Sequence, residues 1–409
     1  MKHRIVVLGA GYAGAYAAGN LARRLSPLDT EITVVNAEPD FVQRMRLHQL
    51  AVGQEIKAPR LADVFAGTGI RLHLARVTAV DPERHVVTAA DATGGGEIGY
   101  DTLVYALGSH VAHRGVPGVA EHAFDVAARP SALRLRERLD SLDKRGEAGS
   151  VLVVGDGLTG IETATEIAES RPGLSVALVA RGELGARLSG AARDHLRRAC
   201  DRLGVTVVEH TTVEAVEATR VLCADGTPLA SDATVWTAGF EASPIAAASG
   251  LEVTGNGQIV VDRTMRSVSH PNVYAIGDSV HAIGDSVHAI GDNGHPLPMS
   301  CGSAGYTGRQ AIDAIVGSLT GRKVAKTKLL YTYNAISLGR LDGILQTVDG
   351  EGQAKPKCVS GRKAALIKTG IIKGALWGTS HPTLGRPGRK RRLAAAPDAA
   401  RRGSGRATA

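Results

Sequence analysis

The sequence predicts an α/β fold built around two parallel sheets, on three observations. An apolar, β-like run ends in a glycine turn and opens a helix near the N-terminus. The same pattern recurs with Gly155 falling 146 residues after Gly9, and a third apolar run, NVYAI, ends in Gly277–Asp278. Strand, glycine turn and helix in that order, used twice, is the pattern of a doubly wound sheet repeated in one chain. With 409 residues and 44% hydrophobic content, the chain is long enough for two or three cores.

The first element is RIVVLGAGYAGAYAAGNLARRL, in which Gly9, Gly11 and Gly14 form GxGxxG. Such a loop needs glycine for a tight turn, for close backbone approach to a pyrophosphate, and for close packing of helix on strand; the phosphates sit against the free N–H groups of the helix start. The next strand, EITVVN, ends at Asn36, where an acid usually holds a ribose. Asparagine can accept from a hydroxyl without charge assistance. The second element, GSVLVVGDGLTGIETATEIAE, repeats the pattern with Gly155, Gly157 and Gly160. Its following strand ends at Ala180 and Arg181. An acid there would favour NADH through the ribose 2′-OH; Arg181 either accommodates the 2′-phosphate of NADPH or is a solvated loop residue. Two cradles imply two dinucleotides on Rossmann-like domains, and the economical chemistry is a flavin taking a hydride from a nicotinamide.

Composition excludes several alternatives. Cys200, Cys223, Cys301 and Cys358 are far apart, so a dithiol centre and a zinc site have no support, and scattered thiols fit a reducing cytoplasm. MKHRIVVLGAG reads as a first strand and not a signal peptide, and no stretch of about 18 uncharged apolar residues is present to span a membrane. The net charge of +8 is concentrated in residues 381–409, which carry eight Arg or Lys and the single acid Asp398. That Ala-, Gly-, Pro- and Arg-rich tail is expected to be disordered.

Several further segments resemble the two-dinucleotide-fold flavoprotein reductases, specifically type II NADH:quinone oxidoreductase-like proteins. YDTLVYALGS (100–109) and ATVWTAGF (233–240) are similar to the family's two connecting strands, and GQIVVDRTMRSVSHPNVYAIGD (257–278) to the strand that ends in the flavin-ribitol aspartate. PDFVQRMRLHQLAVG, ISLGRLDGILQ and GRKAALIKTGIIKGALWG extend the likeness to about residue 380. The resemblance implies that the first cradle holds the FAD pyrophosphate, that Gly277 and Asp278 face its ribitol and phosphate, and that the second cradle holds NAD(P)H. It implies Gly108 and Gly239, on the two connecting segments, as further cofactor-binding positions. Glu162 matches a family glutamate on the first helical turn, near where nicotinamide meets flavin; the other reading of Glu162 is a helix-dipole partner. Glu166 reads as structural. Arg44, Arg46 and His48 follow a strand end near the flavin and either meet phosphate, steer an acceptor or lie in a solvated loop.

The family's quinone-reducing members carry a glutamine-containing AQ motif where this chain has PMSCGSAGYTGRQ; Gln310 falls too late to fill that place. A helix starting at about Ser300 to Ser303 can still aim its positive end at the flavin, with Cys301 either close to the isoalloxazine or a core residue. Residues 331–349 read as strands turning at Asp342–Gly343, and residues 361–377 as a basic amphipathic helix. That helix either lies on an anionic membrane surface or packs on the flavin domain or a homodimer partner.

These readings set the expected organisation: an FAD domain in two parts (1–110 and 246–325), interrupted by an NAD(P)H domain (111–245), then a C-terminal segment (326–380) and the tail (381–409). The expected function is an FAD-dependent NAD(P)H dehydrogenase passing electrons to a quinone, cytoplasmic or on the inner face of the membrane. Two alternatives stay open: reduction of a protein carrier such as ferredoxin, and a redox-sensing flavoprotein binding partners or nucleic acid through its tail. The tail has no aromatic interleaving, so sequence-specific nucleic-acid recognition has no support. AIGDSVH occurs twice before AIGDNGH, and spacing assigns the flavin to Asp278, leaving Asp285 and Asp292 as echoes in a lengthened loop. The recurring His281, His288 and His295 fix no metal geometry, and no metal site is expected.

Overall fold

The computed structural model describes residues 1–144, 149–282, 301–322, 332–349, 352–384 and 390–394. The strand His3–Leu8 is apolar from Ile5 to Leu8 because both its faces are covered, and those four residues are at most 2% exposed. It forms the centre of a five-stranded parallel sheet whose order is Val273–Ala275, Thr102–Tyr105, His3–Leu8, Thr30–Asn36, Ile70–Leu74. The Ala-rich helix Tyr12–Arg24 follows the central strand and lies against the helix Cys301–Thr320. A second five-stranded parallel sheet has Ser150–Val154 at its centre, in the order Thr206–Val208, Ser175–Val179, Ser150–Val154, Ala233–Trp236, Ala123–Phe124. Each parallel sheet is accompanied by a three-stranded antiparallel sheet, at 76–99 and at 213–230. The predicted α/β class with two Rossmann-like sheets is the observed one.

The two halves are joined where Ser109–Val111 pairs antiparallel with Phe240–Ala242. Ala112 N–H donates to Gly239 O at 3.0 Å across this double crossover. The strand Val273–Ala275 completes the first sheet at the predicted place, and Gly277–Ser279 turn immediately after it. Val280–Ala282 then pairs with Ile259–Val261. Asp285, Asp292, His288 and His295 lie outside the described residues, as does the side chain of Cys301.

The C-terminal segment is a three-stranded antiparallel sheet, Tyr333–Ser337, Gly343–Val348 and Ala354–Ser360, covered by the helix Arg362–Ser380. Gly343 opens the second strand opposite Ser337 and so lies just past the turn. The sheet docks on the second half: Ser189 N–H and Oγ–H donate to Gln346 Oε1 at 3.0 and 2.7 Å, and Arg202 and His195 both reach Asp342. Among the described residues no helix is long and apolar enough to cross a membrane.

One expectation is corrected here. The tail was expected to be disordered throughout, yet residues 390–394 run along the first half. Arg391 bridges Leu25, Ser26 N–H donates to Arg391 O at 2.8 Å, and Arg392 pairs with Asp29 at 2.6 Å. The open backbone edge at Leu25 gives a polar segment somewhere to pair, which composition does not reveal. The helix Arg362–Ser380 packs one side on the molecule and leaves part of its apolar surface open. It buries Ala364, Ala365 and Thr379 and turns Lys368 inward, leaving Leu366, Ile367 and Trp377 65%, 41% and 55% exposed.

Candidate functional site

Each central strand ends in a glycine turn whose three glycines do different work. Gly9 has φ +92° and Gly155 φ +113°, the left-handed side that favours glycine. A Cβ at Gly14 would collide with Gly9 O, and one at Gly160 with Gly155 O, so the third glycine lets helix and turn meet. A Cβ at Gly11 or Gly157 would meet no protein atom within 4 Å, and these two residues are the N-caps of their helices. Open space before uncapped helix N–H groups is what a pyrophosphate requires, so both cradles fit a dinucleotide.

Asn36 lies at the end of its strand, and its side chain is used by the first cradle itself. Oδ1 accepts from Ala10 N–H at 2.8 Å, and Nδ2 donates to Glu38 O at 2.7 Å. At the corresponding place in the second half, Arg181 is exposed at the strand end.

The third predicted element closes on the first cradle. Gly277, at φ +69°, donates its N–H to Thr307 Oγ1 at 2.9 Å; a Cβ there would come within 3.1 Å of Ala13 Cβ. Asp278, 15% exposed, accepts from Ser109 Oγ–H at 2.7 Å and from Arg44 Nη1 at 3.4 Å. Gly108, at φ +74°, donates its N–H to Ser279 Oγ at 3.1 Å. Arg44 also donates to Ser109 Oγ at 2.9 Å and lies 5.2 Å from the Phe240 ring centroid. Sequence reasoning gave Arg44 no particular partner; its role as the clasp between Asp278 and the crossover residue Phe240 depends on contacts across 234 positions. Gly239, φ +122°, backs onto Arg114, whose Nη2 would stand 2.5 Å from a Cβ.

Glu162 is corrected from the first helical turn to the second, because Gly157 caps the helix and Leu158 begins it. It does not act as a helix-dipole partner. Its carboxylate, 12% exposed, accepts from Ser337 N–H at 3.0 Å and from the Lys368 ammonium, which also donates to Ser337 Oγ at 3.2 Å. Burial pushes Lys368 down to about 7, while the carboxylate beside it helps to hold the proton. Removing one partner from a buried pair typically costs about 3–5 kcal/mol, because the other charge is left uncompensated. His48 is buried beside this pair; desolvation, then Lys368 and Arg46, push it down to about 3, so it is neutral across the physiological range. Its Nε2 has no partner. No solvated loop is formed by this stretch, since Leu47, His48, Leu50 and Ala51 are all buried against the second half. Glu166, read from the sequence as structural, is also fully buried, with Oε2 unpartnered. Gln310 is buried with an unpartnered Oε1.

Comparison with known proteins accords with this arrangement. Residues 3–299 match the pyridine nucleotide-disulphide oxidoreductase family. A NADH dehydrogenase-like protein of Mycobacterium tuberculosis is 32% identical over 392 residues, covering 90% of this chain and 92% of that one. A type II NADH:quinone oxidoreductase of Staphylococcus haemolyticus is 25% identical over 90% of this chain and 93% of its own. The structure of NDH2 from Plasmodium falciparum in complex with NADH superposes with a TM-score of 0.78 over 94% of this chain and 97% of that one, at 16% identity. The chain therefore belongs to the pyridine nucleotide-disulphide oxidoreductase family, as an NADH dehydrogenase-like flavoprotein that binds FAD and NAD(P)H.

Proposed function

We propose that the chain is an NAD(P)H:quinone oxidoreductase in which the first cradle, with Gly108, Gly277 and Asp278, holds FAD and the second, with Gly239 at the crossover, holds NAD(P)H. The bound cofactors supply hydride transfer from nicotinamide to flavin, a step that needs no protein acid or base. Asn36 braces the first glycine turn beside the ribose, and Arg181 is free to meet a 2′-phosphate. Arg44 and Ser109 orient Asp278 toward the ribitol.

The observation that carries the acceptor is the C-terminal helix. One side places Lys368 on Glu162 inside the molecule, while Leu366, Ile367 and Trp377 are exposed on a helix that also exposes Lys363 and Lys373. Reducing a quinone takes up two electrons and two protons, of which the hydride brings one. Reducing a ferredoxin takes up electrons alone. A buried proton-holding pair and an apolar, cation-flanked stripe on one helix suit a lipid-soluble acceptor better than a protein carrier. The domain division expected from the sequence is part of the same proposal, and this helix meets both halves, packing near Tyr12–Arg24 and pairing with Glu162.

The test is anaerobic reduction of the yellow protein with NADH or NADPH, followed by addition of a quinone, ferricyanide or ferredoxin. Reoxidation by quinone is expected; reoxidation by ferredoxin alone would overturn the reading. Lys368 sets its pH dependence. The ammonium that donates a proton is lost as pH rises through about 7, so quinone turnover is expected to fall above that pH while ferricyanide turnover stays flat. Lys368→Met is expected to lower quinone turnover by about 10²-fold and remove the dependence. Stability moves the other way. Between about 7 and 10.5 the unfolded chain binds a proton that the fold does not, so this group stabilises the fold as pH rises through that window.

The exposed stripe gives a separate expectation. Leu366→Ser with Trp377→Ser should abolish co-sedimentation with anionic lipid vesicles and leave ferricyanide reduction unchanged; sedimentation that persists would remove this helix as the contact.

A further inference from the structure

A buried carboxyl unused by the reaction above lies one helical turn beyond Glu162. Glu166 has 0% exposure. Its Oε1 accepts from Gln54 Nε2 and faces Arg340 Nε at 3.5 Å, while Oε2 has no partner. A carboxylate retained only to tie these segments together would be expected to spend both oxygens, because a buried unpaired oxygen costs about 1–3 kcal/mol. Burial and then Glu169 push Glu166 upward toward its neutral form, against Arg340 and Gln54. A neutral carboxyl carries a proton that it can give.

The placement of the neighbours matters more. Residues four apart on a helix share a face with Cβ atoms about 5–6 Å apart, so Glu162 and Glu166 are adjacent. At the other end Glu169, 31% exposed, accepts from Arg340 N–H at 2.8 Å, and the Arg340 side chain is 55% exposed. Three acids on one helix thus lead from the Lys368 contact to the surface. The groups facing this line from other elements are Lys368 on the C-terminal helix, Arg340 on the hairpin turn, and Gln54 and the neutral His48 from the first half.

We propose that Glu166 relays protons from the surface at Glu169 and Arg340 to the Glu162–Lys368 pair. This rests on the quinone reading. Each turnover moves a hydride, with two electrons and one proton, from NAD(P)H toward a quinone that becomes a quinol; the second proton comes from solvent. Glu166 passes its proton inward to Glu162 and Lys368 as they give one up, and is reprotonated from outside. Ferricyanide takes electrons only, so its reduction bypasses the relay.

The test compares wild type with Glu166→Gln, which keeps the volume and polar contacts but cannot titrate. At neutral pH the wild-type infrared spectrum is expected to show a protonated-carboxyl C=O band that the variant lacks. Quinone turnover in the variant should fall on the order of tenfold, with flavin content and ferricyanide turnover unchanged. If Glu166→Gln does not fold, Glu169→Gln at the mouth is read in the same way, with a fall of about threefold expected. An unchanged infrared band, or quinone and ferricyanide rates that fall together or not at all, overturns the relay. Wild type that reduces ferricyanide but no quinone overturns the acceptor reading and the relay with it; wild type that reduces quinone beside an unaffected variant overturns the relay alone.

Discussion

Asp278→Ala is expected to purify without flavin, while Asp285→Ala stays yellow. Asp278 lies three residues past the strand Val273–Ala275, in the turn Gly277–Ser279, and that strand pairs with Thr102–Tyr105 in the central sheet, so its position is fixed by the fold. Ser109 and Arg44 hold its carboxylate, and Gln258 Nε2 holds its backbone carbonyl at 3.2 Å. A charge-assisted hydrogen bond to a ribitol hydroxyl is worth about 1.5–3 kcal/mol, which is roughly tenfold to more than a hundredfold in affinity. The truncation adds a second loss, since Arg44 would be left half-buried without its carboxylate. The readout is the ratio of flavin to protein absorbance after desalting. Retention of flavin by Asp278→Ala together with its loss in Asp285→Ala would move the assignment to a later copy of the repeat.

Gly157→Ala and Gly160→Ala are expected to part company, although they lie three residues apart. The new methyl group at 157 meets no protein atom, so the variant should fold as wild type, keep its flavin, and lose NAD(P)H binding because the methyl occupies the phosphate position. At 160 the methyl runs into Gly155 O and stands 2.7 Å from Thr237 Oγ1, both fixed by the sheet. Overpacking of this kind costs about 1–3 kcal/mol, so Gly160→Ala should lower the melting temperature as well as nucleotide affinity. Thermal melts with and without NADH separate the two. Equal melting temperatures for both variants would mean that the two glycines do not divide the work between ligand and packing.

What the sequence made legible was local. The cradles could be read because left-handed φ at Gly9 and Gly155 and the close approach at Gly14 and Gly160 leave no other residue type. The position of Asp278 followed from strand spacing. The Glu162–Lys368 contact could not be read, since its partners are 206 positions apart and Lys368 looked like one of four bases on an outer face. Which side of that helix packs was left open by its pattern, because it depends on the hairpin beneath it. Gly343 lies so close that a Cβ there would approach Ala365 N to 3.3 Å, so only small residues such as Ala364 and Ala365 fit against the hairpin, and Leu366 and Ile367 are turned out. The strand Ala354–Ser360 gave no signal because it carries Lys355, Pro356 and Lys357 and is mostly exposed. The AQ-motif departure stands, and the buried acids beside Lys368 are polar groups that the motif comparison does not reveal.

The docking of residues 390–394 beside Leu25 and Asp29 bears on the order of events during synthesis. Asp29 ties the first strand to a segment far along the chain: its carbonyl accepts from His3 N–H at 2.8 Å, and its carboxylate from Leu393 N–H at 3.1 Å. The edge strand Val273–Ala275 and the helix Cys301–Thr320 also reach the first sheet late. The nucleotide fold that emerges first from the ribosome is therefore the last to be finished, whereas the second half has every strand of its parallel sheet by residue 236. The first sheet therefore keeps an open edge until residues 273–275 have been made, and Asp278 joins its site only after the second half is complete.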